Sequence, residues 1–220
     1  MSHISERQLN MTGSNLLQIA MEHSDSLIIN ARAGDEYAFN RLVSLWYKRM
    51  YNFCYKYFGS HDAAMEATQK SFIAVHKSLH TLQSPDKFRS WLYRIALNKC
   101  HEEERGAFHK KVVSMFSPST DDGISIQVAQ ITNEVAANSD KRILKKELAE
   151  LLTRCLKELN SEQREVVIMK EYEGLKFREI AEALNISENT AKSRLYYGLS
   201  TLRKIMDRMN VTQETVDYEL

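Results

Sequence analysis

The chain has 220 residues, of which 27% are charged and 43% hydrophobic, and its formal net charge is only +1. A chain of this length holds one large domain or two small ones. The near-neutral charge excludes a polycation that binds nucleic acid over its whole surface, so a nucleic-acid site would have to be a local patch.

Composition also predicts the fold class and the compartment. Two prolines, seven glycines and few alternating β-branched stretches predict an all-α protein. Three widely spaced cysteines in apolar or helical stretches (Cys54, Cys100, Cys155) indicate reduced core thiols in a cytoplasmic protein, with neither a disulfide framework nor a metal site. No stretch approaches the roughly 18 apolar residues that a membrane helix needs, and the first residues lack a signal-peptide pattern, so we expect no membrane insertion.

The N-terminal part is expected to be a helical domain spanning residues 25–106, preceded by a polar extension over residues 1–24. Four amphipathic stretches follow one another there, because apolar residues recur every three or four positions. Asp35 is a good N-cap for the second helix, and Ser84 followed by Pro85 is a helix start signal. We predict the ends of the four helices near Gly34, Gly59, Leu82 and Arg105.

The second part is expected to be a smaller helical domain spanning residues 141–206, between a linker over residues 107–140 and an acidic tail over residues 207–220. The linker contains turn-forming residues and is too long for an ordinary connection within a compact domain. The domain opens with a leucine-rich helix, and Asn160 and Ser161 can cap the next one.

A helix-turn-helix pattern lies near the end of the second domain. A helix over Phe177–Leu184 is followed by a short turn and a second helix from Glu188. Asn185 can adopt the left-handed conformation that a tight turn needs, and Ser187 is a good N-cap. The second helix would enter the DNA major groove. An ordinary helical hairpin shows the same apolar stripe, but short polar side chains mixed with cations favour contacts with base edges and phosphates.

The order and spacing of these fragments give a specific resemblance. In the first domain they include Gly34-Asp35, Gln69-x-x-Phe72 and Phe88-x-x-Trp91-Leu92-Tyr93-Arg94-Ile95-Ala96-x-Asn98. In the second they include Leu156-x-x-Leu159, Glu173-Gly174-Leu175 and Thr190-x-Lys192-Ser193-Arg194-Leu195. Together they resemble the extracytoplasmic-function (ECF) group of bacterial sigma factors in the sigma-70 family, over nearly all of residues 25–206.

The resemblance implies that the protein binds core RNA polymerase through its third helix. The residues concerned would dock on helices of the β′ clamp: Glu66, Gln69 and Phe72. An aromatic anchor beside polar hydrogen-bonding groups suits a helix-on-helix contact. Without the resemblance, Phe72 would be interpreted as a core residue.

It also implies contacts with promoter DNA through both domains. The N-terminal domain would hold the melted minus-ten element through Lys87, Arg89, Arg94 and Asn98, whereas Trp91 is expected to be a core residue. The C-terminal domain would read the minus-thirty-five duplex through eight residues: Ser187, Glu188, Asn189, Thr190, Lys192, Ser193, Arg194 and Tyr197. Family members are commonly held inactive by an anti-sigma factor, so such a partner is expected as well.

Two alternatives belong to other functional classes. A stand-alone helix-turn-helix regulator with an N-terminal sensing or dimerisation domain would share the second domain. An enzyme could use His101 with the three glutamates that follow it, but no matching pair of metal ligands occurs elsewhere, so a solvated helix end is the preferred interpretation. No phosphate-binding loop or nucleophile motif is present, and we expect neither catalysis nor a cofactor.

Overall fold

The computed structural model describes residues 25–116 and 139–209, and for residues 108–116 and 139–147 it describes the backbone alone. These residues form helices and turns with no strand, as predicted. They are α1 (residues 25–32), α2 (Glu36–Phe58), α3 (His61–Ser78), α4 (Phe88–Phe116), α5 (Ser139–Glu158), α6 (Ser161–Val167), α7 (Phe177–Leu184) and α8 (Glu188–Arg208). The predicted N-terminal extension and most of both the linker and the acidic tail lie outside the described residues, while α8 extends to Arg208, two residues into the predicted tail.

The N-terminal half is built by α1 to α4. As predicted, Asp35 caps α2, because its carboxylate accepts a hydrogen bond from the Ala38 amide at 3.1 Å. Gly59 ends α2 in the left-handed conformation with φ 60°. Pro85 opens a short 3₁₀ turn that leads into α4, although the Ser84 side chain makes no capping bond. The inward faces of these helices bury a continuous apolar core that includes Phe53 and Leu92.

Both tryptophans of the chain lie in this half and meet around one phenylalanine. The Trp46 ring stands edge-on to Phe88, with centroids 5.6 Å apart, and Trp91 is 6.1 Å from the same ring. Trp46 and Trp91 are partly buried against the core. The apolar role predicted for Trp91 is therefore confirmed.

The C-terminal half is built by α5 to α8. The Asn160 side chain caps α6 by accepting from the Gln163 amide at 2.8 Å. Beyond α6 the chain does not continue as a regular α-helix, because residues Ile168–Tyr172 form a wider π-helical turn. Such turns are uncommon and frequently occur at functional positions. This turn ends at Glu173, which faces the other half of the molecule.

Helix α4 is longer than predicted, since it continues through Gly106 to Phe116. A glycine inside a helix costs only about 1 kcal/mol relative to alanine, which the adjoining turns can offset. No helix among the described residues is long and apolar enough to span a membrane.

The two halves pack against each other. Helix α4 lies along α7, and α2 contacts both α5 and the π-helical turn. At one point the α2 backbone lies close to side chains of α5: a Cβ added to Gly59 would lie 2.9 Å from the Thr153 methyl group. The face of α4 that meets the C-terminal half carries Arg89 and Arg94, two of the four predicted minus-ten residues.

Candidate nucleic-acid and polymerase interfaces

The turn before α8 has the predicted geometry. Asn185 is left-handed with φ 55°, and among the described residues it is the one non-glycine with positive φ. The Ser187 hydroxyl then accepts from the Thr190 amide at 3.0 Å and so caps α8. These two residues set the angle between α7 and α8. The first turns of α8 consequently project from the surface, as a groove-binding helix requires.

Most of the predicted minus-thirty-five residues are exposed on α8. They are Ser187, Glu188, Asn189, Thr190, Lys192, Ser193 and Tyr197. Tyr196, which was not in the predicted set, is 71% exposed beside Tyr197. This face offers hydroxyl, amide and ammonium groups, which can hydrogen-bond base edges and phosphates.

Arg194 differs from its neighbours because it is partly engaged within the same half. Its guanidinium lies 2.9 Å from the Glu162 carboxylate, and its side chain is 22% exposed. The pair ties α8 to the start of α6. A guanidinium has five N–H donors, so this ion pair leaves others that can reach a phosphate.

The predicted polymerase-binding residues lie on α3 but do not share one environment. Glu66 and Gln69 are exposed. Phe72 is only 9% exposed, because its ring stacks on Tyr47 and belongs to the core. The apolar side chains that α3 does present to solvent beside Gln69 are Met65 and Ile73, which is 49% exposed. The sequence analysis selected neither residue. Met65 precedes Glu66 and Ile73 follows Phe72, so each lies one position from a selected residue, about 100° around the helix.

Lys70 lies between two carboxylates. It makes an ion pair with Glu66 at 3.0 Å and another with Glu103 of α4. These hydrogen bonds to Glu103 and Glu66 raise the Lys70 pKa. They connect the α3 face to α4.

Of the four predicted minus-ten residues, Lys87 ends the 3₁₀ turn before α4, and the other three lie in the first part of α4. Asn98 is exposed, and the Lys87 ammonium donates to the Gln83 side chain at 3.2 Å. The two arginines instead face the C-terminal half. Arg94 donates to the Glu182 and Ala183 carbonyl oxygens, the latter at 3.2 Å, and Arg89 donates to the Glu173 carbonyl.

Two further α4 side chains complete this contact. The Tyr93 hydroxyl donates to the Glu173 carboxylate at 2.6 Å, and Ser90 donates to the Glu182 carboxylate at 3.0 Å. Burial, together with the adjacent Glu173 charge, raises the pKa of Tyr93 well above its ordinary value, so it remains a donor at neutral pH. A hydrogen bond to a charged group contributes about 1.5–3 kcal/mol, which makes this cluster a substantial link between the halves.

A second polar cluster joins the halves farther along α4. His101 is 2.7 Å from Glu165, whose side chain is 7% exposed, and this hydrogen bond raises the pKa of His101 above its ordinary value. Glu104 accepts from Tyr57 at 2.8 Å and from Arg164 at 3.3 Å. The acidic stretch after His101 therefore takes part in contacts between the halves, which the expected solvated helix end did not include.

Two buried thiols lie inside the N-terminal half. Cys54 and Cys100 are free cysteines whose sulfur atoms are 3.8 Å apart. The Cys100 thiol donates to Cys54, so the pKa of Cys54 is lowered, whereas burial raises that of Cys100. All three cysteines are free and buried, as the sequence analysis expected.

Comparison with known families matches both halves separately. The model for sigma-70 region 2 matches residues 42–107, and the model for sigma-70 region 4 matches residues 149–202. The two matches therefore cover more than half of the chain. They fall on the halves that carry the predicted minus-ten and minus-thirty-five residues, respectively.

Individual relatives agree with these matches. The chain is 27% identical to the ECF RNA polymerase sigma factor SigW of Bacillus subtilis over 187 residues, covering 80% of this chain and 93% of SigW. It is 26% identical to the ECF RNA polymerase sigma-E factor of Escherichia coli K12 over 174 residues, covering 77% and 87% of the two chains.

Solved structures show the same fold. CnrH, in complex with the cytosolic domain of CnrY, matches 84% of this chain and 98% of its own, at 21% identity and a TM-score of 0.62. RpoE of Bartonella quintana, in complex with the anti-sigma factor NepR, matches 77% and 96%, at 18% identity and a TM-score of 0.56. Because the models of regions 2 and 4 both match and the alignments with the curated relatives cover most of each chain, this chain belongs to the sigma-70 family as an RNA polymerase sigma factor of the ECF group.

Proposed function

We propose that the N-terminal half binds core RNA polymerase through α3 and holds the melted minus-ten element through α4, while α8 reads the minus-thirty-five element in duplex form. The observation that carries this assignment is the exposed polar face of α8, which the Asn185 turn and the Ser187 cap project from the surface. Sigma factors direct initiation and do not catalyse a reaction themselves. The site of action is the cytoplasm, where the polymerase works.

The surfaces of α8, α4 and α3 carry different chemical groups, and each suits the partner proposed for it. Short polar groups and Lys192 on α8 suit base edges and phosphates of a duplex. Arginines and an amide on α4 suit the phosphates and the unstacked bases of a separated strand. The α3 face, with Ile73 and Met65 beside Gln69, suits a helical protein partner.

We assign residues 25–106 to the polymerase and minus-ten module and residues 141–206 to the minus-thirty-five module. The residues between them, 107–140, include the end of α4 and the start of α5, so the connection outside the helices is residues 117–138. We also propose an anti-sigma partner, because two proteins of the same fold have been solved with a partner bound, RpoE with the anti-sigma factor NepR and CnrH with the cytosolic domain of CnrY. The stand-alone regulator is not favoured, since region 2 as well as region 4 matches the chain.

The test is transcription in vitro with purified core polymerase and a set of candidate promoters. We expect the protein to co-purify with core polymerase and to start transcription at promoters carrying a defined minus-thirty-five element. Lys192→Ala should weaken promoter binding about equally for all promoter sequences. It should also reduce the slope of the logarithm of the binding constant against the logarithm of the salt concentration by about 1, because one phosphate contact is lost. Binding to duplex DNA without any association with the polymerase would contradict the proposal.

A further inference from the structure

Two thiols meet inside the N-terminal half. Cys54 of α2 and Cys100 of α4 are completely buried, and their sulfur atoms are 3.8 Å apart. The two residues are 46 positions apart in the sequence, so the fold alone brings them together. A free cysteine can serve as a small apolar core residue, and its reactivity is what distinguishes a functional thiol from core filling.

Contacts on both sides of this pair join the same two helices. One residue before Cys54, the Phe53 ring meets the Tyr93 ring of α4, with centroids 5.2 Å apart. One turn after Cys54, the Tyr57 hydroxyl donates to the Glu104 carboxylate of α4 at 2.8 Å. Because α2 and α4 are held together at both points, their packing keeps the two sulfur atoms next to each other.

The separation of the sulfur atoms suits a disulfide. The S–S bond is about 2.05 Å long, so the two sulfur atoms must approach by about 1.8 Å. Rotation of a cysteine about its Cα–Cβ bond to another staggered position moves its sulfur by more than that gap. Side-chain rotation can therefore supply the approach.

The two thiols also differ in acidity. The Cys100 thiol donates a hydrogen bond to the Cys54 sulfur, which lowers the pKa of Cys54, whereas burial raises the pKa of Cys100. The thiolate is the nucleophile in thiol chemistry. Cys54 is therefore the thiol that reacts first, and Cys100 is the partner that resolves the product.

We propose that Cys54 and Cys100 form a reversible disulfide on reaction with a small hydroperoxide, so that the core of the N-terminal half contains a redox modification site. The Cys54 sulfur attacks one peroxide oxygen, the O–O bond breaks, and a sulfenic acid forms at Cys54 as water or an alcohol leaves. The Cys100 sulfur then attacks the Cys54 sulfur, the S–O bond breaks, and the hydroxyl group leaves with the Cys100 proton as water. In total the two thiols lose two electrons and two protons, which reduce the peroxide, and a dithiol reverses the reaction.

Burial selects the oxidant and the product. A hydroperoxide of a few atoms can reach the pair through small local openings of the half, whereas a bulky reagent such as glutathione disulfide needs a much larger opening. The same burial keeps external thiols away from the sulfenic acid. Cys100 is therefore the thiol available to it.

Cys155 provides a control within the same chain. It is also completely buried, but its thiol faces the Met209 sulfur, at 3.5 Å, and not another cysteine. The chain has no fourth cysteine. We therefore expect Cys155 to stay unlinked under the conditions that join the other two thiols.

Peptide mapping of the full chain tests the proposal. The reduced protein is treated with an excess of hydrogen peroxide or with the same excess of glutathione disulfide, and is then denatured, alkylated, digested and analysed by mass spectrometry. We expect peroxide to link Cys54 to Cys100 within one chain while Cys155 remains alkylated, and dithiothreitol to restore both thiols. Glutathione disulfide should give at least about tenfold less of the linked peptide.

The oxidised chain should also unfold at a higher temperature than the reduced chain. The cross-link restricts the unfolded state, so we expect the midpoint in scanning calorimetry to rise by at least about 5 °C. Cys155→Ser should show the same rise, and Cys54→Ala should show none. Circular dichroism checks that each variant keeps its helix content.

Several outcomes would overturn the proposal. If peroxide leaves the wild-type chain without the Cys54–Cys100 link, the two thiols only fill the core. Links to Cys155 in equal yield, or a Cys54–Cys100 link that forms only in the unfolded chain, would show that the native contact does not direct the reaction. Equal yields with glutathione disulfide would contradict a small hydroperoxide as the oxidant. All these measurements use the free chain, so they are independent of the polymerase and promoter assignments.

Discussion

A single missing side chain allows α8 to approach α6. Gly198 is buried between them, and a Cβ placed there would lie 2.9 Å from Val167 Cγ2 and 3.3 Å from Gln163 Cβ. Neither neighbour can give way easily, because one belongs to a stiff β-branched side chain and the other is fixed to the helix backbone. Gly198 thus sets the distance between α8, the helix proposed to contact the minus-thirty-five element, and α6.

Gly198→Ala is therefore expected to destabilise the protein. Overpacking costs about 1–3 kcal/mol, while the higher helix propensity of alanine returns up to about 1 kcal/mol, so the net loss should be about 1–2 kcal/mol. The measurement is the free energy of unfolding from urea titrations.

Gly106→Ala is the matched control for that change. Gly106 also lies within a helix, but nothing is within 4 Å of a Cβ added there. This variant should be more stable by about 0.5–1 kcal/mol. If both alanine variants shifted stability in the same direction, close packing at Gly198 would not be the cause.

Features that depend on a few neighbouring residues could be predicted from the sequence. The caps at Asp35, Asn160 and Ser187 are examples, since each side chain accepts from an amide three residues ahead. The left-handed Asn185 is another, because asparagine tolerates that conformation and the pattern required a turn there. These caps and turns depend on residues that are close together in the sequence, so they can be predicted without a structure.

At the scale of a helix, the sequence did not show which side of α3 faces the core and which faces solvent. Adjacent helical residues point about 100° apart, so Phe72 faces the core while Ile73 faces solvent. Both are apolar, and the sequence pattern alone could not assign which of them is the exposed anchor. The structure makes Ile73, next to Gln69, the better candidate for contact with the polymerase.

Ile73→Asp should separate docking from stability. We expect association with core polymerase to weaken by about 1–2 kcal/mol, because a charge replaces an apolar contact. The free energy of unfolding should change by less than about 0.5 kcal/mol, as for most exposed positions. Affinity can be measured by fluorescence anisotropy with labelled protein.

Two companion variants complete that comparison. Phe72→Ala should lower the free energy of unfolding by about 3 kcal/mol, as expected for a buried aromatic ring. Ile29→Asp alters an isoleucine of α1 that is 56% exposed and should leave polymerase affinity unchanged. Equal losses of affinity for Ile29→Asp and Ile73→Asp would show that α3 has no special role in docking.

At the scale of the whole molecule, the contacts between the halves could not be predicted. His101 and Glu165 are 64 residues apart, and Tyr93 and Glu173 are 80 apart. A charged residue that pairs across a domain interface looks, in the sequence, like any solvated one. The same limit explains why Arg89 and Arg94 were assigned to phosphates without any sign of the carbonyl groups they contact.

The packing of the two halves against each other should depend on pH through His101. It faces Glu165 of α6, with Arg164 of α6 and Tyr57 of α2 close by and Glu104 and Arg105 on its own helix. Glu165 raises the pKa of His101 while the halves are packed together, so this packing is most stable when His101 is protonated. That contribution is complete below the ordinary histidine pKa of about 6.5 and is lost as pH rises through the raised value.

We therefore expect the radius of gyration of the free chain to be larger at pH 8.5 than at pH 6. Histidine is the side chain in this cluster whose ordinary pKa is nearest that range. His101→Gln should remove most of the dependence while leaving the helix content unchanged by circular dichroism. A variant that retained the full pH response would assign it to another group.

The position of the two tryptophans around Phe88 has a practical consequence for spectroscopy. Since both indoles of the chain lie in the N-terminal half, intrinsic emission excited at the indole band monitors the melting of that half alone. Ellipticity in the far ultraviolet records helix loss in both. Overlaying the two curves from one thermal scan distinguishes a single cooperative transition from independent melting of the modules, without adding any dye or label.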